Sequence, residues 1–572
     1  MEEAQEPPAL SLLDLPSHVL DAVFSLALRL HQDALAHAED GEVFDVRKRD
    51  PRRVLPLVSR GFLAAASASH TLWRRVQLNL LALSAERVPS LVAWLSRHAA
   101  MLRCLALHGG ALPTVEAALL GQLVPLAAAI QAAGQAGLEA LELPRPLGAA
   151  VLALLDPACL PRLKVVAVDL APCRRAVSNG RVEGLQEWQQ RRASNGLGDA
   201  QRATLCLLHL PALEELLVQS NLDMSLLAAC PGAWSRLRRL AVADCRDVLQ
   251  IPSLPSLASL AGLSSLRFYQ RDGFALPGPL TALRHLAHLH AAVRYQDDPL
   301  TVHQELSRLT SLHALWLQHA VFEQPAALGM LPRLHTLALV GGAAGWAAVL
   351  EGLAAPGSWD GAQPVAAGAT AAGQPAAEQW PTAAAATATR AAASGSRCGL
   401  RSLHLQAHAQ SVAEVPGGVW RALAQLPPGL TRLELPYNRL QDLPEGPYLR
   451  ELRALDLSHN SLPGVPAHLP GCCTNLSALS LGQQETASPG ESAADVAALR
   501  ALPTLRLLVT SAGHYSAGYL SAGLRSPAEA AHLGRLRAAL TPRCRVTNRQ
   551  GEWERAAGRL AALFEVSLRQ KA

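Results

Sequence analysis

The chain has few aromatic residues, few methionines and almost no lysine. Phe, Trp and Tyr make up 4% of its 572 residues, and lysine occurs only at Lys48, Lys164 and Lys571. Leucine and alanine must therefore supply most of the buried surface, and a chain of this length predicts several domains or a repeat array. The net charge of +5 does not indicate a dedicated nucleic-acid-binding protein, which would show a concentrated basic face.

Markers of secretion and of membrane insertion are also missing. The ten cysteines form no C-x-x-C pair, which predicts reduced thiols in an intracellular protein. The first residues, MEEAQEPPALS, have neither the basic nor the apolar region of a signal peptide, so we expect none. Residues 117–138 are uncharged, but glutamines, glycines and a proline dilute their apolar character, and we expect buried helix and loop rather than a membrane span.

Signatures of enzymes are absent as well. The sequence contains no glycine-rich phosphate loop with lysine, no G-x-S-x-G and no H-E-x-x-H, so we expect neither catalysis nor a cofactor. His285, His288 and His290 form the one tight histidine cluster. They could share a ligand face on a strand, but no paired carboxylate or cysteine accompanies them, which favours ordinary surface and edge histidines over a metal site.

A recurring leucine pattern organises most of the chain. The best copies are LTRLELPYNRLQDLP (430–444) and LRALDLSHNSLPGVP (452–466), with Asn438 and Asn460 22 residues apart. Two earlier copies, LHALWL (312–317) and LHTLAL (334–339), repeat the spacing. A third copy, LSALSL (476–481), follows the two best ones. Weaker copies are LRCLAL (102–107), LEALEL (138–143), LKVVAV (163–168), LEELLV (213–218), LRRLAV (237–242) and LSSLRF (263–268).

This pattern resembles the leucine-rich-repeat family, whose repeats are 20–29 residues long. L-x-L places two leucines on one face of a strand, and stacking parallel copies builds a continuous core. Leucine-rich amphipathic helices are the alternative, but the recurrence of one motif with prolines between copies argues against them. We expect the amides of Asn438 and Asn460 to satisfy backbone groups where each strand turns.

Two gaps interrupt the spacing. Val166 and Leu216 are 50 residues apart, which indicates a missed repeat or an insertion such as 181–199. Leu337 and Leu403 are 66 residues apart, and the Ala/Gly/Pro-rich composition of 354–397 predicts a disordered linker. Near the end, a capping box at Ser526 predicts a helix to about Leu540 and then a last strand at 543–546. The domains expected are a separate N-terminal domain at 1–80, repeats at 81–353, a linker at 354–398, repeats at 399–548 and a capping helix at 549–572.

The segment before the repeats resembles the F-box motif. LPSHVLDAVFSLAL (15–28) and LPLVSRGFLAAASASHTLWRRVQL (55–78) follow its order, with Phe62 in place of the commoner Trp, His18 in place of an acidic residue and a long insert at 31–53. The fold class expected is therefore α/β, a leucine-rich-repeat solenoid with parallel strands on its concave face and an N-terminal all-α F-box. The basic run RKRDPRR (47–53) predicts either a nuclear localisation signal or a solvated loop.

The resemblance implies a substrate receptor of an SCF-type ubiquitin ligase, in the cytoplasm or nucleus, that docks a Skp adaptor and through it a cullin. It implies neither a nucleic-acid nor a membrane partner. The residues that would form or support the adaptor face are Leu15, Pro16, Val19, Leu20, Val23, Phe24, Leu55, Val58 and Phe62. Trp73 would close the F-box core. The alternatives are a leucine-rich-repeat scaffold without a ligase role, which the insert favours, and a hormone-sensing type of co-receptor, for which the scattered arginines give little support.

The repeats also predict where a protein substrate would dock. Because the leucines of L-x-L point inward, the residues between and just after them should line the concave face. The residues expected there are Arg267, Tyr269, Trp316, His319, His404, Arg432, Tyr437, Asp456 and His459. Trp316 among His, Tyr and Arg has the composition of a binding hot spot; the alternative is that Trp316 packs against a neighbouring loop or under the 354–397 tract.

Overall fold

A computed structural model describes part of the chain. The described residues are 74–80, 83–108, 113–145, 147–170, 198–220, 222, 226, 230, 232–243, 260–270, 275–276, 278–293, 299–343, 345–354, 399–407, 415–482, 484, 492–510, 527–540, 543–547 and 553. They divide into two compact units at the boundary between Leu263 and Ser264. All nine residues expected to contact an adaptor lie outside the described residues, as do Trp73 and almost all of the linker and of the expected C-terminal capping helix.

The first unit contains a parallel sheet in which each strand pairs with the next strand of that sheet along the chain. Its strands are β1 (Arg75–Asn79), β2 (Cys104–His108), β3 (Ala140–Leu143), β4 (Val165–Asp169), β5 (Glu215–Gln219) and β6 (Arg239–Ala243). Its helices are α1 (Val88–His98), α2 (Pro113–Gly121), α3 (Leu123–Ala136), α4 (Leu147–Leu152) and α5 (Asp199–Leu208). The first strand, β1, falls inside the segment expected to be F-box, so the repeats begin earlier than the expected boundary at 80.

One apolar row runs across the first sheet in register. It consists of Val76, Leu105, Leu141, Val166, Leu216 and Leu240, each 4% exposed or less. Helix α3 packs closely against the segment that contains Cys159, so a side chain on Gly134 would lie 2.4 Å from the carbonyl oxygen of Cys159. The row and the helices that cover it form the core of this unit, because burying each of these side chains contributes about 1.5–3 kcal/mol.

The second unit contains a longer parallel sheet and a shorter one. The long sheet is formed by β7 (Ser265–Gln270), β9 (His288–Val293), β11 (Ala314–Gln318), β13 (Thr336–Val340), β14 (Ser402–Gln406), β15 (Arg432–Glu434), β16 (Ala454–Asp456), β17 (Ala478–Ser480), β18 (Leu507–Val509) and β19 (Arg545–Thr547). The short sheet is formed by β8 (Ala275–Leu276), β10 (Leu300–Val302) and β12 (Ala320–Phe322), which the sequence pattern did not indicate.

Short helices follow or separate many of these strands. They are α6 (Trp346–Ala354), α7 (Gly417–Ala424), α8 (Leu469–Cys472), α9 (Ala493–Arg500) and α10 (Pro527–Leu540), together with several single 3-10 turns. The long sheet has its own apolar row, here called the leucine row. It consists of Leu266, Leu289, Leu315, Leu337, Leu403, Leu433, Leu455, Leu479, Leu508 and Val546, each 3% exposed or less.

These features confirm the expected leucine-rich-repeat fold. The two spacing gaps lie within single repeats, because β4 pairs directly with β5 and β13 pairs directly with β14. The long sheet thus continues from β13 to β14 across the segment expected to be a linker, and the boundary between the compact units lies at 263/264. The sequence pattern missed the repeat that contains β9, because Ala291 stands where the third leucine of L-x-x-L-x-L would be.

A residue in the left-handed conformation ends several strands at the same repeat position. Ser220, His319, Gly341, Tyr437 and His459 have φ angles of 62°, 55°, 68°, 59° and 56°. The N–H of each still donates to a carbonyl of the neighbouring repeat, at 2.7–3.3 Å. The backbone ladder is thus extended by one residue while the chain turns out of the sheet, at some conformational cost wherever the residue is not glycine.

Buried amides secure the turns of the best repeats, as expected. Asn460, which is fully buried, accepts from the N–H groups of Asn438 and Leu440 at 3.1 and 3.0 Å and donates to the carbonyls of Leu435 and Leu457 at 2.7 and 2.9 Å. Gln484 does the same in the next repeat, donating to Leu457 and accepting from Leu462. These side chains replace backbone partners that the turn removes.

The uncharged segment at 117–138 forms most of α2 and α3. None of the described helices is by itself long and apolar enough to cross a membrane. The segments Thr114–Gly121 and Leu123–Ala136, bent by 66°, meet the criteria of length and composition only when they are counted together.

Replacement of Asn460 by alanine should destabilise the second unit strongly. The change leaves several buried N–H and carbonyl groups without a partner, and each such group costs about 1–3 kcal/mol. We expect a loss of about 3 kcal/mol or more in the free energy of unfolding, measured with urea. The control is Asn475→Ala, which removes one hydrogen bond of an exposed side chain to Arg450 and should cost about 0.5 kcal/mol or less. Equal losses for the two variants would contradict the structural role of Asn460.

Candidate functional site

The side of the long sheet opposite the leucine row is here called the open face. Side chains alternate along a strand, so the residues between the leucines share this face, and the strand register places them side by side. Across seven successive strands the central positions are Arg267, His290, Trp316, Ala338, His404, Glu434 and Asp456. The register and the alternation thus bring six of the residues expected at the substrate site onto one face: Arg267, Tyr269, Trp316, His404, Arg432 and Asp456.

Trp316 is held between two histidine rings. Its ring centroid lies 5.1 Å from that of His290 and 5.6 Å from that of His404, with interplanar angles of 23° and 26°. His404 is two strands away from Trp316, and the strand between them carries only the small Ala338 at this position. The alanine leaves space for the indole and the imidazole to meet above it. Trp316 is therefore half-buried and packed between two rings.

His290 contributes an uncharged ring to this stack. It is buried, and burial together with the nearby charge of Arg267 lowers the pKa of the imidazole well below its usual range. A neutral imidazole packs against the indole without the cost of a buried charge. The sequence had placed His290 in a possible metal cluster, and its role beside Trp316 was missed because its repeat was not recognised.

A buried ionic network lies on the other side of the stack. The Glu434 carboxylate contacts His404 Nδ1 at 2.8 Å and accepts from Arg432 Nε at 2.9 Å, and the side chains of all three residues are 13% exposed or less. Burial alone would raise the pKa of Glu434, but the hydrogen bonds and charges of His404 and Arg432 outweigh it and lower the pKa to about 2. His404 is also within 3.2 Å of Gln406 Oε1, so its ring is held at both nitrogens.

Asp456 lies in the same row, but its side chain has a structural role. It is 3% exposed, and its Oδ1 accepts from the N–H of Ser458 at 2.9 Å. Burial, with the neighbouring charge of Glu434, raises the pKa of this carboxyl group. A buried carboxyl group engaged with its own turn contributes little to a ligand surface.

Tyr437 and His459 form a second aromatic pair at the ends of neighbouring strands. Their ring centroids are 3.9 Å apart and their planes differ by 12°. Both residues occupy the left-handed turn position, which directs their rings together at the rim of the open face. Both are half-buried, and burial lowers the pKa of His459.

The remaining two predicted site residues differ in exposure. Tyr269 is half-buried near the end of β7. His319 is only 3% exposed, because its ring lies against Gly341, where a side chain would come within 2.3 Å of two imidazole atoms. The expectation that His319 contributes to the binding surface is therefore corrected: the turn residue at this repeat points into the structure.

Among the described residues, no group of three or more His, Cys, Asp or Glu side chains could hold a metal ion. Of the three clustered histidines, His285 is exposed, His288 is half-buried and His290 is buried.

Comparison with known proteins adds little to this geometry. No protein-family model matches the chain, and no curated protein matches it significantly. A leucine-rich-repeat protein of Leptospira interrogans is similar in structure, with 16% identity, 85% of this chain and 98% of that chain covered and a TM-score of 0.38. Similarity at this level says nothing about ligands. The fold is a leucine-rich-repeat fold because of the repeats and the strand register described above.

The Glu434 network predicts an acid-sensitive contribution to stability. Because the pKa of Glu434 is about 2 in the folded chain against an ordinary 4.5, its stabilisation is present above pH 4.5 and is lost as the pH falls towards 2. We expect Glu434→Gln to be about 3 kcal/mol less stable than the wild type at pH 6. The difference should shrink as the pH is lowered, as measured by urea unfolding.

Asp456→Asn supplies the matched control for this pH dependence. The raised pKa of Asp456 has the opposite sign, since stability associated with its protonated form is lost as the pH rises through the folded-state value. Asp456→Asn should therefore gain stability relative to the wild type as the pH rises. Parallel pH profiles for the two variants would contradict the assignment of charge in the network.

Proposed function

We propose that the chain is a non-catalytic protein-binding scaffold that captures a partner protein on the open face of its second unit. The observation that carries this proposal is the stack of His290, Trp316 and His404, in which a large aromatic ring is packed on both sides and only partly buried. Stacked strands of this kind form the extended binding surfaces of repeat proteins. Tryptophan is among the residues that most often dominate binding energy at such surfaces.

The fixed geometry of the face favours tight binding. A side chain that is already ordered loses little conformational entropy when a partner arrives, whereas a mobile side chain loses about 0.5–1.5 kcal/mol. Trp316 is fixed by its two neighbouring rings, and His404 is fixed by Glu434 and Gln406. The partner surface that fits is apolar or aromatic at its centre, where it would cover the indole, with polar groups around it.

We further propose a more specific role: the chain is the substrate-recognition subunit of an SCF-type ubiquitin ligase. The support is the resemblance of residues 15–78 to the F-box motif, followed by leucine-rich repeats. In this role the F-box would dock the Skp adaptor and the open face would present the substrate. Ubiquitin transfer would belong to other subunits, no cofactor would be needed, and the protein would act in the cytoplasm or nucleus.

A leucine-rich-repeat scaffold without a ligase role is the second candidate. The insert at 31–53 favours it, because so long a segment between the two halves of the motif could disturb the helical packing that adaptor binding requires. Both candidates use the open face in the same way. They differ in whether an adaptor and a cullin accompany the protein.

Substitutions at the two aromatic positions should test the open face. We expect Trp316→Ala and Tyr437→Ala each to weaken capture of the partner by about 2 kcal/mol or more, which is roughly thirtyfold in Kd. The measurement is quantitative affinity purification, followed by titration of the identified partner. The control is Trp94→Ala in the first unit, where the indole stacks on His98 at 4.5 Å outside the proposed surface.

The control should bind like the wild type. If both open-face variants, folded as judged by circular dichroism, also bind the partner normally, the binding surface lies elsewhere and this proposal fails.

Substitution of Leu15 and Pro16 by alanine should test the ligase role. These residues match the start of the F-box motif, so the double variant should lose co-purifying Skp adaptor and cullin while keeping the partner bound to the open face. Trp316→Ala should show the reverse pattern. If the wild-type protein recruits no adaptor under conditions in which other F-box proteins do, the scaffold without a ligase role replaces the finer proposal.

A further inference from the structure

A second surface of the second unit, different from the open face, carries positive charge. It is formed by the entry residues, each of which directly precedes a strand and directly follows the first leucine of its repeat. The N–H of each entry residue donates at 2.8 Å to the carbonyl of the entry residue before it, which places these residues side by side along one edge. The part of this row that follows His335, here called the entry row, consists of Arg401, Thr431, Arg453, Ser477 and Arg506.

Arginine and a short hydroxyl residue alternate along the entry row. Thr431 Oγ1 donates to the carbonyl of Arg401 at 3.1 Å, and Ser477 Oγ donates to the carbonyl of Arg453 at 2.9 Å. Both hydroxyls are thus engaged with the backbone, and the long side chains between them occur on every second strand. Since neighbouring strands are about 4.8 Å apart, the three arginines recur about every 10 Å.

The three arginines are available to a partner. Arg401, Arg453 and Arg506 are all exposed, and among the described residues no acidic side chain forms an ion pair with any of them. Arg432, only one residue beyond the entry row, is instead bound to Glu434. A guanidinium group can bind a carboxylate through two parallel hydrogen bonds, so three of them in line select a partner with matching carboxylates.

We propose that the entry row binds an acidic helix of a partner protein whose carboxylates recur every seventh residue. Seven residues of α-helix rise 10.5 Å, which is close to the spacing of the arginines, and they return nearly to the same face. An extended peptide repeats same-face side chains about every 6.8 Å. Each strand of a nucleic-acid duplex carries a phosphate about every 3.4 Å of its axis. Three such steps come to about 10.2 Å, but the third phosphate has turned by about 100° around the duplex axis, since one turn takes about 10 base pairs. Neither partner therefore presents successive charges on one face at the spacing of every second strand.

The test uses the full chain and three defined probes in fluorescence anisotropy at low salt. The first probe is an alanine-rich helical peptide with glutamate at three positions seven residues apart. The second has the same composition with the glutamates five residues apart, on different helix faces, and the third is a 20-nucleotide single-stranded DNA. We expect the first peptide to bind at least tenfold more tightly than the second. The triple variant R401A/R453A/R506A should lose at least tenfold in affinity for it.

The matched control removes the same charge elsewhere. R87A/R97A/R236A replaces three exposed arginines of the first unit and should change the affinity for the first peptide less than twofold. Trp316→Ala should also leave this affinity unchanged, so failure here is distinguishable from failure of the open-face proposal. Equal binding of the two peptides, equal losses in the two triple variants, or tighter binding of the DNA that depends on the entry row would each overturn the proposal.

Discussion

The leucine row is the constraint on which the second unit depends. Leu315, Leu403 and Leu455 are fully buried, and each faces a leucine of the neighbouring strands in register. Shifting one strand by a single residue would turn its leucines outward and its polar residues into the core, so the register is strongly specified. The same register determines which side chains are neighbours on the opposite side of the sheet.

The open face shows what such a register can assemble from distant parts of the chain. Trp316 and His404 are 88 positions apart in sequence, with the 354–398 segment between them, yet their rings stack because β13 alone separates their strands. A larger side chain in place of Ala338 would fill the space in which they meet. Glu434 then balances the charge of Arg432, so the face combines an apolar centre with a satisfied ionic network. Such a surface can bind a partner without a large rearrangement of its own.

The repeat pattern was sufficient to predict the fold and to place part of the candidate site. L-x-x-L-x-L predicts strand, inward leucines and outward intervening residues, and Trp316 and His404 follow directly from it. The repeat of β9 could not be found, since alanine replaces one leucine, and His290 was missed with it. His319 was misplaced because periodicity ends with the strand and does not describe the left-handed turn that follows. The pairing of Tyr437 with His459 depends on the same turn and was equally hidden.

Partner binding at the open face should protect the strands on either side of Ala338. The most direct measurement is hydrogen exchange, followed by mass spectrometry, of the full chain with and without its captured partner. Binding at the open face should slow exchange in peptides that contain residues 314–318 and 402–406, and in the turns at Tyr437 and His459. Slowed exchange confined to the first unit or to helix α6, with these peptides unchanged, would contradict the claim that the open face is the binding surface.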